Sequence, residues 1–203
     1  MRLRILAGTA VLVLAAACDR NATVPDAATL TAAEAAELAP LFEELADASF
    51  AGAAFSASSA DGARMDVTTT TVPFSRTRAC PGGGNVAISG SAVYTVDVAA
   101  RTGSHSVTAT RVESGCVLNG RRGGAVTIDG NPSTTITGSE SFTRGVPGIR
   151  TVTQKGAFRW SRGTTTGNCA VDLVSTFDPV ARSASVKGTF CGRAVDVTRT
   201  RGA

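Results

Sequence analysis

His105 is the one histidine of this chain, and it stands between Ser104 and Ser106. A serine nucleophile needs a neighbouring base to take its proton, most often histidine. Here the three residues follow Gly103 at the start of an alternating segment. Adjacent strand residues point to opposite faces, so neither serine is brought within reach of the imidazole. There is no Gly-x-Ser-x-Gly turn. The sequence therefore reads His105 as a surface residue at a strand start. Carboxylates are available at Asp97, Glu113, Asp129, Glu140, Asp172, Asp178 and Asp196. A glycosidase needs two of them held a few ångströms apart. Most fall on polar faces or in turns, and no pair stands out. Gly82-Gly83-Gly84 lacks the Gly-Lys-Ser/Thr of a phosphate loop and reads as a turn after Cys80-Pro81. Arg121-Arg122, with Arg159 and Arg162 flanking Trp160, offer a basic patch with one aromatic ring. Nucleic-acid binders usually present several stacking rings, so cation–π packing at a sheet edge is the expectation and nucleic acid is excluded as a partner. The chain reads as no enzyme, with no catalytic residue, cofactor site or metal site.

Cysteines carry the next signal. Cys80, Cys116, Cys169 and Cys191 contain no Cys-x-x-Cys pair, and His105 has no ligand-like spacing to them, so a zinc site is disfavoured. An even number in an exported chain favours two disulfides. Export is read from the start. Met1-Arg-Leu-Arg4 is basic, Ile5 to Ala17 is apolar, and Leu14-Ala-Ala-Ala-Cys18 ends in small residues before a fifth cysteine. This is an export signal whose apolar run is too short to span a bilayer stably. The segment resembles the bacterial lipobox, with Ala15 where leucine is usual. The resemblance covers about the first twenty residues and implies that Cys18 is lipidated and becomes the mature N-terminus. It places the chain among the uncharacterised envelope lipoproteins of bacteria, anchored to membrane and facing periplasm or cell exterior.

The elements that must position these residues divide the chain into a signal (1–17), a lipidated leash (18–29), an amphipathic helix (30–50) and a β-domain (64–203). Removing the signal leaves 203 − 17 = 186 residues, enough for one domain with a real core. Residues 19–66 hold nine acids and two arginines, a net of −7, while residues 67–203 hold 7 acids and 16 basic residues, a net of +9. The split points to a solvated surface, or to helix-to-body attraction or an anionic partner. Thr31 and Glu34 form a capping box. Leu38, Leu41, Phe42 and Leu45 form one apolar stripe. Pro40 interrupts it and predicts a kink or two short helices; residues 51–63 read as a loop.

From Met65 the period becomes two. Val86, Ile88, Ala92, Tyr94 and Val96 share one strand face, as do Cys169, Val171, Leu173 and Phe177. About nine strands are expected, near 65–79, 85–99, 104–116, 124–131, 133–142, 149–161, 168–178, 183–191 and 193–200. Short connections and no intervening helices imply an antiparallel meander. Glycine recurs on the apolar face in Ile88-Ser-Gly90, Ile128-Asp-Gly130, Ile136-Thr-Gly138 and Val186-Lys-Gly188. Such glycines favour a strongly curved sheet, barrel or half-barrel, with the helix over its open side. On this map Cys80 pairs with Cys116 and Cys169 with Cys191. Cys191 has the wrong parity for the inner face unless a bulge or a reversal at Gly192 turns it inward. Phe142, Phe158, Trp160, Leu173, Phe177 and Phe190 are expected in the core. The expected function is a structural or partner-binding envelope module whose partner is an envelope protein, lipid or anionic glycan. The alternative is a carrier of lipid or another apolar ligand.

Overall fold

The computed structural model describes residues 30–54 and 67–200, with side chains over 30–46 and 67–200. Expectations for the signal, Cys18, the leash and the 55–66 connection lie outside those residues. The described chain is one helix, α1 (Ala32–Ala54), followed by ten strands. These are β1 (Val67–Ala79), β2 (Asn85–Asp97), β3 (Thr102–Ser114), β4 (Cys116–Gly120), β5 (Gly124–Thr143), β6 (Val146–Pro147), β7 (Arg150–Arg162), β8 (Thr165–Asp178), β9 (Ser183–Phe190) and β10 (Arg193–Thr200). None of the described helix is long and apolar enough to cross a membrane.

All strands belong to one antiparallel sheet in the order β1-β2-β3-β5-β7-β8-β9-β10, with β4 and β6 pairing to β5. The meander follows from alternating inward residues and short turns. Two strands differ from the sequence map. The expected breaks at 131–133 and 145–148 are not ends of pairing. Strand β5 runs through Asn131-Pro132, absorbing the extra residues as a register shift between Gly130 and Thr134. The reversal after β5 falls on Arg144-Gly145, both at positive φ, so Val146-Pro147 folds back on Thr143 and Phe142. Strand β4 is set off from β3 by Gly115 at φ 57°, which moves the inward parity from Glu113 to Cys116.

The sheet is not closed, which corrects the barrel expectation. β1 and β10 are its edges. Of β1's side chains only Val72 and Phe74 pack against the core. A strand led by Thr68-Thr-Thr-Thr71 lacks the inward apolar face that would draw it round to β10. Pro73, Arg76 and Arg78 then make that edge a poor template for another strand.

Helix α1 is a single helix through Pro40 rather than two short ones, and it reaches Ala54, into the segment read as loop. A proline there loses one backbone hydrogen bond; burial of Leu38, Pro40, Phe42, Leu45 and the alanines 35, 39 and 46 outweighs it. The helix contacts β10, β9, β4 and β2. The Phe42 ring meets Phe158 at 5.1 Å and Phe190 at 5.5 Å. Trp160 and Leu173 are also core, whereas Phe142 and Phe177 are half-buried.

Both cysteine pairs chosen from the strand map are joined, Cys80 to Cys116 and Cys169 to Cys191. The parity conflict is resolved by the turn. Cys191 (φ 52°) and Gly192 (φ 73°) are the two central residues of the β9–β10 hairpin, both left-handed as a type I′ turn requires. Cys191 is therefore turned inward by the reversal itself.

Candidate functional site

Two neighbourhoods bring chemistry-bearing residues together. The first lies beneath α1. Inward positions of β3 carry Val107, Ala109, Arg111 and Glu113, all buried. Arg111 Nε donates to Glu113 Oε1 at 2.7 Å, and its Nη1 donates to Gln154 Oε1 at 2.9 Å and to the Phe42 carbonyl at 3.1 Å. The guanidinium lies 3.8 Å from the Phe42 ring centroid. Burial lowers the Arg111 pKa, and the neighbouring Glu113 and Glu43 carboxylates oppose that. A guanidinium remains charged through any physiological range. Arg111 Nη2, Glu113 Oε2 and Gln154 Nε2 are buried without a hydrogen-bond partner among the described residues. This cluster was missed in the sequence, where Glu113 counted as solvated. The signal was present: Arg111 and Glu113 continue the parity of Val107 and Ala109.

His105 is also an inner-face residue, two positions before Val107 on β3, and not a surface one. It is 8% exposed, stacked on Tyr94 at 5.7 Å, with Nδ1 3.8 Å from Glu140 Oε2. Tyr94 and Glu140 are its direct cross-strand partners. Burial lowers its pKa, the Glu140 carboxylate raises it and Arg150 lowers it further. Ser104 and Ser106 are exposed on the other face, as the alternation requires. The imidazole and carboxylate are thus adjacent, but neither chain-neighbour serine is placed as a nucleophile.

The remaining carboxylates have structural duties. Asp97 accepts from Ala100 N, Asp129 from Gly115 N, and Asp178 from Val180 N and Ala181 N. Asp172 pairs with Lys155 and Asp196 with Lys187 at the surface. Among the described residues no cluster of three His, Cys, Asp or Glu side chains could hold a metal ion. Gly82–Gly84 forms a turn laced to β4, with Gly82 N donating to Val117 O and Val117 N to Gly83 O. Trp160 is buried, with Arg159 exposed on the opposite face. The cation–π contacts fall instead on Phe42 with Arg111 and Phe177 with Arg150.

The second neighbourhood is the seam between the first turns of α1 and the β4–β5 turn. The capping box forms: Glu34 N donates to Thr31 Oγ1, and Thr31 N donates to Glu34 Oε2. Glu34 Oε1 also accepts from Arg162 at 2.6 Å. These bonds to Thr31 backbone and hydroxyl, then to Arg162, lower the Glu34 carboxyl to about 2. Glu37 accepts from the backbone N–H groups of both Arg121 and Arg122. Arg193 Nε donates to the Leu30 carbonyl at 3.0 Å. Beside this seam lies an open groove of about 620 Å³ lined by Ala33, Glu37, Leu41, Arg121, Arg122 and Arg199, among others. So Arg121-Arg122 and Arg162 separate: Arg162 is a helix clamp, whereas the other two join Arg199. No family model, curated protein or solved structure matches this chain.

Proposed function

We propose that this chain is a lipid-anchored, non-enzymatic module of the bacterial envelope, lipidated at Cys18 and facing periplasm or cell exterior, which serves a structural or partner-binding role. Its location rests on the first eighteen residues. The observation that carries the non-carrier reading is the filled space between α1 and the sheet. Phe42 stands among Phe158 and Phe190 while its carbonyl is held by Arg111. The helix touches β2, next to one sheet edge, and β10, the other edge. That supports a half-barrel curled round a fixed plug. A carrier of an apolar ligand would need α1 to leave. The cleft beside Glu43, Val152, Ser175 and Val186 is about 40 Å³, far below the several hundred Å³ of a typical ligand pocket, and the 620 Å³ groove is open and carries three arginines.

Two measurements test this. Cys18→Ser should give a protein of different mass that no longer fractionates as wild type does with membranes; identical mass and fractionation would sink the anchor. Deleting residues 30–54 should lower the melting temperature and expose the apolar inner face. A shortened protein that melts like the parent but loses a co-purifying lipid would instead establish the carrier.

A further inference from the structure

We infer that the groove beside the first turns of α1 is a docking surface for an anionic membrane, with Arg121, Arg122 and Arg199 as its headgroup contacts. This rests on the reading of Cys18 as the anchor.

The positive charge there is uncommitted. Arg121, Arg122 and Arg199 are exposed, and none of their guanidinium groups is bonded to a described residue. Two acids of the first helical turns, among the described residues, are already engaged. Glu34 is held by Thr31 and Arg162, and Glu37 by two backbone N–H groups. The groove therefore carries three cations and one carboxylate, and that carboxylate is turned onto the β4–β5 turn. Glu34 and Glu37 are spent on fixing the helix to the sheet. Leu41 supplies a half-buried apolar side chain to the same groove.

The chain's path holds this face near the bilayer. Eleven residues separate Cys18 from Leu30, a tether of at most about 40 Å when fully extended. Its exit point is fixed to the body, because Arg193 holds the Leu30 carbonyl. Ala33 and Leu41 lie three and eleven residues beyond Leu30, about 5 to 16 Å along the helix axis. A lipid on Cys18 thus keeps the groove within about 60 Å of the headgroups, the tether plus the helix offset. Each basic residue held near an anionic surface favours binding by roughly fivefold, so three amount to about a hundredfold. Screening acts over about 8 Å at physiological ionic strength, so raised salt should erase the effect.

The test uses the mature protein, reconstituted into vesicles of phosphatidylcholine alone or with added phosphatidylglycerol. Amide hydrogen exchange is followed over residues 119–123 and 33–41. Protection that appears only with phosphatidylglycerol, and fades at high salt, is the expected result. Replacing all three arginines by glutamine should abolish it, while replacing all three by lysine should preserve most of it. Melting temperatures matching the parent show that the variants fold, and should the glutamine variant not fold, the salt and lipid dependence of the parent still decides. Equal protection on both vesicle types, or protection by soluble heparin or free phosphate but not by vesicles, would overturn the inference. Intact mass keeps the two readings apart. If Cys18 carries no lipid, the anchor fails, and the groove is judged by sedimentation of the same protein with the two vesicle types.

Discussion

Two ion-paired regions of this protein use the same chemistry in opposite surroundings. Arg111 and Glu113 pair at 2.7 Å with both side chains 0% exposed, whereas Lys155 and Asp172 pair at 3.0 Å with 72% and 51% exposed. Beneath the helix, charges have left water and are compensated by each other, Gln154 and the Phe42 carbonyl. On the outer face, water already solvates both ions. The geometry is similar and the energetic meaning is not. A buried pair costs more to break than to remove, because breaking it strands an ion. An exposed pair contributes about 0–1 kcal/mol either way.

The largest effect should follow from stranding Glu113. Arg111→Met should cost roughly 3–5 kcal/mol, the usual penalty for leaving one partner buried alone. Arg111→Met with Glu113→Leu should recover part of that loss, since the stranded charge is gone while the Phe42 carbonyl and Gln154 Oε1 still lack their donor. Chemical denaturation of the wild type, the two single variants and the double variant gives the coupling. A double variant as unstable as Arg111→Met alone would mean the arginine matters for its packing and not for its charge.

The buried region also shows what the sequence could and could not convey. The strands were legible because inward Val, Ile, Ala and Tyr alternate with outward Ser and Thr, and the cysteine pairs followed from which strand ends meet. The capping box was legible because it is local. Strand β5 was not, because Gly130-Asn131-Pro132 looks like a break when read alone; the flanking strands keep the pairing going on both sides. The charged core failed for another reason. A charged residue on an apolar face looks like an error of register until a partner two positions on, and a helix carbonyl from 69 residues away, supply the compensation. The groove was half legible: Arg121-Arg122 stood out, but Arg199 joins them only through the meander.

The aromatic side of the same contact sharpens the comparison. Phe42 gives Arg111 both a carbonyl and a ring face. Phe42→Leu keeps the carbonyl and much of the volume but loses the cation–π and edge contacts. It should cost about 1–2 kcal/mol. In a cycle with Arg111→Met the two losses should be less than additive. Strict additivity would show that ring and guanidinium act independently.

Acid should separate the regions by pH. The Glu34 carboxyl sits at about 2, below an ordinary carboxylate, so its contribution is present above about 4.5 and disappears as pH falls toward 2. His105 is held below its usual value by burial. Its contribution is present above about 6.5 and declines as pH falls below that, where the unfolded chain takes the proton first. Melting temperature should therefore decline in two stages on acidification. Glu34→Gln should flatten the lower stage and His105→Gln the upper one. A Glu34→Gln profile that still falls between 4.5 and 2 as wild type does would remove the Glu34 clamp as its cause.

The smallest effect belongs to the outer face, and its smallness is the informative part. Lys155 and Asp172 are direct cross-strand neighbours on β7 and β8, as Lys187 and Asp196 are on β9 and β10. Their ions lie 3.0 and 3.2 Å apart and stay in water. Lys155→Ala and Lys187→Ala should each shift stability by no more than about 0.5 kcal/mol, and less in high salt, because screening and side-chain entropy offset the attraction. The double variant should be additive, since the two pairs share no partner. Denaturation at low and high salt measures both. A loss above about 1.5 kcal/mol at either site would mean that the outer face carries charge coupling of the kind reserved here for the core, and the contrast between the two regions would fail.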